Sequence, residues 1–131
     1  MMKTKYGFGK EVDGGFDETV AKVKKELAAV GFGVLTEIDV KATLKKKLDK
    51  DVAPYVILGA CNPPFAARAL EAEPSIGLLL PCNVVVREVA AGKMSVEFMD
   101  PNAVMGMVDQ EGVHALAGEV RPLLEKVMAA I

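Results

Sequence analysis

Two cysteine–asparagine pairs are the residues of this chain best suited to chemistry. Cys61-Asn62 lies within Gly59-Ala60-Cys61-Asn62-Pro63-Pro64, and Cys82-Asn83 within Leu80-Pro81-Cys82-Asn83-Val84. They contain the only two cysteines of the sequence. Each pair ends or interrupts an apolar run of the kind that forms a buried strand, and each sits beside a proline. Two thiols in equivalent settings point to one shared cleft. Cys61 directly precedes an asparagine suited to cap a helix that starts at Pro63. A thiol there faces unpaired backbone N–H groups and the positive end of the helix dipole, which favour the thiolate. That placement suits a nucleophile, a redox thiol or one side of an anion site. The plainer alternative is a small buried hydrophobe closing a strand. Alternation sends Cys82 and Asn83 to opposite faces, so both line the cleft only if a bulge at Pro81 resets the register. Otherwise Asn83 serves backbone groups that the proline leaves unpaired.

Other polar groups point to weaker chemistry. Glu37 and Asp39 alternate on one strand and face the same way, a spacing that suits acid–base work or a hard cation. A wet strand face, with Asp39 capping the next helix, is the competing reading. Soft-metal binding would pair Cys61 and Cys82 with His114 or a methionine. His114 aligns with Ala117, Arg121 and Glu125, off the apolar stripe of its helix, and Met94 shares a face with Val96 and Phe98 as core methionines do. No metal site, cofactor or catalytic residue is assigned. The two cysteines form no C-x-x-C, so thioredoxin-type exchange lacks its local motif. Lys41, Lys45, Lys46, Lys47 and Lys50 spread around a short helix and read as a solvated face or, less simply, as a clamp for an acidic partner. Gly-rich phosphate loops, H-E-x-x-H and the serine nucleophile elbow are all missing.

The elements that must position these groups follow from periodicity. A first strand spans Thr4 to Val12. Phe16, Val20, Val23, Leu27 and Val30 paint one face of a helix that Gly31 ends. A strand from Gly33 to Val40 and the lysine-rich helix Lys41 to Lys50 follow. Next come a strand from Pro54 to Cys61, a helix from Phe65 to Glu73 stopped by Pro74, and a long strand from Ile76 to Val89 with its bulge at Pro81-Cys82. Ala90-Ala91-Gly92 turns into a strand from Lys93 to Met99. A loop runs from Asn102 to Gly112, and a last helix carries Val113, Leu116, Val120, Leu124, Val127 and Ile131, with Pro122 expected to kink or split it. The order β-α-β-α-β-α-β-β-α predicts an α+β fold of two layers, helices on a mixed, mostly antiparallel sheet.

Composition sets the bounds. A chain of 131 residues makes one domain, residues 1–131, able to bury roughly two thirds of its unfolded surface. Hydrophobic residues are 51% and aromatics 5%, with no tryptophan, so the core is aliphatic. The net charge of −2 lacks the basic excess that phosphate contacts demand, which counts against a nucleic-acid partner. The N-terminus does not resemble a signal peptide, and no apolar run reaches the length of a membrane span. The expectation is a cytoplasmic protein with reduced, free thiols.

Several of these segments together resemble a known family. Gly31-Phe32-Gly33-Val34-Leu35-Thr36-Glu37-Ile38-Asp39-Val40, Leu58-Gly59-Ala60-Cys61-Asn62-Pro63, Ile76 to Val86 and Met99-Asp100-Pro101 resemble the bacterial and archaeal family catalogued as domain of unknown function 302. The resemblance covers nearly the whole chain. It implies a TATA-binding-protein-like fold with a β-α-β4-α core and a homodimer, and it implies no activity. Taken with the residues, the expected function is binding of a small molecule, anions among the candidates, in a cleft formed by Cys61, Asn62, Cys82 and Asn83, with Glu37 and Asp39 as further candidate ligand-binding residues. The alternative is a thiol-based redox enzyme or sensor, or a soft-metal protein, using Cys61 and Cys82.

Overall fold

The structure, a computed structural model, describes residues 2–131. Strands β1 (Met2–Lys3) and β2 (Gly7–Asp13) precede α1 (Phe16–Ala29), β3 (Gly33–Asp39), α2 (Val40–Leu48), β4 (Tyr55–Cys61) and α3 (Pro63–Ala72). A 3-10 helix (Pro74–Leu79), β5 (Cys82–Ala90), β6 (Lys93–Met99), α4 (Pro101–Met105) and α5 (Glu111–Ala130) complete the chain. The sheet order is β1-β2-β6-β5-β4-β3. Its long elements run β2-α1-β3-β4-β5-β6-α5, which is the β-α-β4-α order implied by the family resemblance. The fold is α+β in two layers. Every strand pairing among the described residues is antiparallel, where a mixed but mostly antiparallel sheet was expected. The reason is that α2 and α3 return the chain to the end of the sheet that it left, so neighbouring strands reverse direction.

The spacing of α1 does what its pattern demands. Val23 and Leu27 are fully buried, and Val20 nearly so. Gly31 takes φ +89°, and the N–H groups of Gly31 and Phe32 donate to Ala28 and Leu27 carbonyls, closing the helix as a left-handed glycine cap does. With Val120, Leu124 and Val127 of α5, this helix covers one sheet face built from Phe8, Val56, Leu58, Val84, Val86, Val96 and Phe98. The rings of Phe8 and Phe98 stack with centroids 5.5 Å apart. On the opposite face, the register aligns Gly9, Glu97, Val85, Ile57 and Ile38 in one row across five strands.

Four sequence expectations change. Residues Ile76 to Leu79 form the end of the 3-10 helix, not the start of a strand, and β5 begins only at Cys82. An apolar run cannot by itself separate a strand from a buried helical turn. Pro74 starts the turn, Glu73 caps it through Ser75 N–H, and Ile76 is buried in a second apolar cluster with Ala69, Met105 and Val113. The strand expected from Thr4 starts at Gly7, as β2, because Thr4 diverts its backbone into a turn, donating from its N–H to Gly7 O and accepting from Tyr6 N–H at its hydroxyl. The segment after Met99 opens with α4 rather than a plain loop. Finally, α5 runs unbroken through Pro122. Pro122 and Gly118 are both exposed, so the carbonyl deprived of an amide partner faces water.

Glycine 59 shows how tightly β3, β4 and the Pro81 turn meet. A Cβ there would collide with Thr36 Oγ1 and stand 2.8 Å from Pro81 Cγ. Gly59→Ala should therefore cost about 1–3 kcal/mol, in the range of overpacked cores. Adding Thr36→Ala should recover part of that loss, since it removes the nearest clashing atom. Urea denaturation of the two single variants and the double variant checks this, and strictly additive losses would refute the contact.

Candidate functional site

A cavity of about 370 Å³ lies between the two apolar clusters of the described residues. Its walls include Phe32, Ala60 and Val120 of the main core and Ala69, Met105, Leu116 and Ala117 of the second cluster. Phe65 packs against both clusters and lines the cavity as well. Strands β4 and β5 contribute Cys61 and Cys82, α3 contributes Ala66, and the turn into β5 contributes Leu80 and Pro81. No lysine, arginine, aspartate, glutamate or histidine is in the wall. Leu35 and Leu70, 69% and 43% exposed, make the mouth apolar too.

Each predicted residue can now be placed. Cys61, at the end of β4, is half-buried, while Cys82, opening β5, is 9% exposed. Cys82 pairs with Ala60, one residue before Cys61, so the two cysteines lie on adjacent strands and alternation turns Cys61 to the face opposite Ala60 and Cys82. Burial, and then the charge of a Cys61 thiolate, push the Cys82 thiol up to about 11. Asn62 occupies the N-cap position of α3 but makes no cap bond with its side chain. Its amide instead leans over Gly31, where a Cβ would stand 3.0 Å from Nδ2. Cys61, Asn62 and Cys82 thus share the cavity wall.

Asn83, Glu37 and Asp39 are elsewhere. The β4–β5 register runs without a shift through Gly59↔Asn83 and Ala60↔Cys82, so no bulge resets it at Pro81. Asn83 is therefore exposed on the opposite face, as plain alternation requires. The register shifts fall instead between Val34 and Thr36 and between Glu88 and Ala90. Glu37 Oε2 accepts from Lys24 Nζ at 2.8 Å. Asp39 caps α2 by accepting from Ala42 N–H at 2.8 Å, and it borders a separate polar hollow with Asp17, Lys41 and Tyr55. His114 is exposed, with Nε2 2.6 Å from the Val108 carbonyl oxygen. The lysines of α2 are exposed, and Lys45 is shared between Asp49 and Asp51 at 2.8 and 3.2 Å.

The wall needs supports from outside the cavity. Asp100 caps α4 through Asn102 N–H and accepts from Arg121 Nη1 at 2.6 Å, which fixes Pro101 and Met105 against α5. Arg68 of α3 pairs with Glu119 of α5 at 2.9 Å and lies over the Phe65 ring. That pair is half exposed and is worth at most about 1 kcal/mol. Sequence reasoning missed the deeper wall: Phe32, Phe65 and the α5 residues. The alanines 66, 69 and 117 were the available signal, because small side chains on facing helices leave room where larger ones would close it.

The arrangement suits an uncharged ligand. An anion would depend on the N-terminus of α3, yet Pro63 and Pro64 there lack N–H groups and remove two of its four free donors. Burying a charge without a partner is costly, and this wall offers none. No described helix is long and apolar enough to cross a membrane.

The comparisons with known proteins agree with this architecture. A family model described as "Domain of unknown function DUF302" matches residues 8–131. A solved structure, "Crystal structure of uncharacterized conserved protein DUF302 from Bacillus stearothermophilus", is similar with 28% identity and a TM-score of 0.88, covering 97% of this chain and 98% of that chain. No curated protein shows significant similarity. A family match over nearly the whole length, joined to the shared architecture, places the chain: it belongs to the domain of unknown function DUF302 family.

Proposed function

We propose that this protein is a binding module for a small apolar or amphipathic molecule. The observation that carries the reading is the cavity of about 370 Å³ with an uncharged wall and an apolar mouth. That volume falls within the roughly 300–1,000 Å³ of small-molecule sites. The ligand body would pack against Phe32, Phe65, Met105 and Val120, and polar contacts would come only from Asn62, Thr36 and the two thiols at the strand ends. The homodimer implied by the family resemblance is part of the same proposal.

Titration with Nile red, a neutral apolar fluorophore, tests the binding reading. One equivalent should bind per chain with a fluorescence increase. Ala66→Phe, which places a ring in the cavity from a half-buried position, should weaken binding at least about tenfold, since two methylene-sized contacts already account for that factor. Saturation at about 100 times the Kd should also stabilise the fold by roughly 2.7 kcal/mol. No binding, or binding indifferent to both Ala66→Phe and Ala69→Phe, would overturn the proposal. Native mass spectrometry of the same samples reads the assembly mass, and a monomer at tens of micromolar would remove the homodimer.

A further inference from the structure

We infer that the free edge of β3 and the cavity mouth beside it bind an extended peptide, which adds to the sheet as a further antiparallel strand and sets an apolar side chain in the cavity. The inference rests on the proposed apolar binding role and names the class of ligand that fills it. A sheet edge presents unpaired N–H and C=O groups, which invite another strand unless the edge is short or guarded. At one edge of this sheet, β1 is only two residues long. At the other, β3 is seven residues long, and six of the seven are exposed. Among the described residues, the backbone of 33–38 pairs with β4 alone, and no proline or lysine interrupts it. The same strand borders the cavity through Leu35 and Thr36. Leu35 is the extra residue of the β3 bulge, which leaves it 69% exposed at the mouth. An unpaired strand edge that ends at an apolar pocket suits peptide capture by strand addition. Main-chain bonds then supply affinity, and the pocket reads a side chain.

Charge decides which strand this edge accepts. Glu37 and Asp39 share one face of β3, and Asp17 and Glu18 border the hollow that Asp39 also lines. Lys24 engages Oε2 of Glu37, and Oε1 accepts no hydrogen bond among the described residues. A second copy pairing through its own β3 would bring its carboxylates onto the same face beside these, which is destabilising. A segment with basic side chains at that point is favoured instead. Every pairing in this sheet is antiparallel, so the added strand runs against β3, its N-terminal end at Asp39 and its C-terminal end toward Gly33. The order of its side chains follows: basic residues first, opposite Asp39 and Glu37, then a large apolar residue at the mouth. That side chain packs between Phe65 and Val120. The two prolines at the start of α3 weaken any capture of a terminal carboxylate, so an internal segment of a chain fits better than its C-terminus.

The probe is the blocked hexapeptide acetyl-Lys-Thr-Lys-Thr-Leu-Phe-amide, added to the full native chain. It should displace Nile red and slow hydrogen exchange of the backbone amides within 33–39, a protection that a compound held only in the cavity does not give. Replacing its Leu-Phe end by two alanines should weaken binding at least about tenfold. Reversing its sequence should do the same, because the apolar end then lies at Asp39. N-methylation of every second residue, made in both frames, should abolish binding in one of them, since it removes the donors that face β3. Glu37→Lys should weaken the peptide at least about threefold. Nile red binding with no displacement at about 1 mM peptide would overturn the peptide inference and leave the binding role standing. Failure of both ligands would overturn both. Displacement without protection of β3 would overturn strand addition. Protection of β3 in the free protein that disappears on dilution would overturn the inference too, and assign the edge to a second copy.

Discussion

Phe98→Ala should lower the stability of this protein by about 3–5 kcal/mol, the range for deletion of a buried phenylalanine. Phe98 is 1% exposed and sits on β6, with β2 on one side and β5 on the other. It pairs across the sheet with Phe8 and Val84, so its removal opens a hole between both neighbours. The loss extends beyond volume. The Phe8 ring is stacked on Phe98 at 5.5 Å and carries the Arg121 guanidinium 3.9 Å from its centroid. Arg121 in turn holds Asp100, the cap of α4. A domain with only about 5–15 kcal/mol in hand loses a large part of it to this one change. Urea denaturation gives the difference directly, and Phe98→Leu, which keeps an apolar side chain in place, should cost clearly less. A loss below 1 kcal/mol for Phe98→Ala would mean that the aromatic pair is not part of the cooperative core. Because Pro101 and Met105 line the cavity, the same variant should also weaken Nile red binding before the fold is lost.

The second large effect is on stability against pH. Burial, aided by the neighbouring Cys61, pushes the Cys82 thiol from its ordinary 9.0 to about 11. A raised pKa means that the folded state keeps the proton longer than the unfolded chain. Below pH 9 both states are protonated, and nothing is lost. As pH rises from about 9 toward about 11, the unfolded chain releases its proton and the folded state does not, so stability falls. The total is on the order of 3 kcal/mol, at 1.36 kcal/mol per pKa unit. Denaturation midpoints measured at about pH 8 and about pH 11 should diverge in the wild type and converge in Cys82→Ala. The comparison uses the change with pH and not the absolute stability, because the alanine also enlarges the cavity. Equal pH slopes in both proteins would refute the assignment. The functional consequence is that at neutral pH only on the order of one Cys82 in ten thousand is a thiolate. A redox pair in which Cys82 attacks a Cys61 intermediate is therefore slow from the resting fold.

Much of the architecture was written in local pattern. The stripe of Val20, Val23 and Leu27, the αL glycine at position 31, the alternation of Val84 and Val86, and the turn at Gly92 each depend on neighbours within a few residues, so the sequence alone determined α1, the β5–β6 hairpin and the two-layer α+β class, though not where β5 begins. Family membership was legible for the same reason, since its distinguishing segments are contiguous. The like settings of Cys61 and Cys82 suggested a shared cleft without fixing where the two thiols lie, and Asn83 was divided from Cys82 by the two-residue period of a strand that kept its register. Glu37 and Asp39 went to Lys24 and to the cap of α2, partners that a linear reading cannot rank. Only the tertiary structure decided the cavity. Its wall draws on α3, α4, α5 and both cysteine strands, and its emptiness is a difference between volumes contributed by residues far apart in the chain. Periodicity states which side of an element faces inward. Whether two inward faces then touch, or leave about 370 Å³ between them, is set by how the helices seat on the sheet.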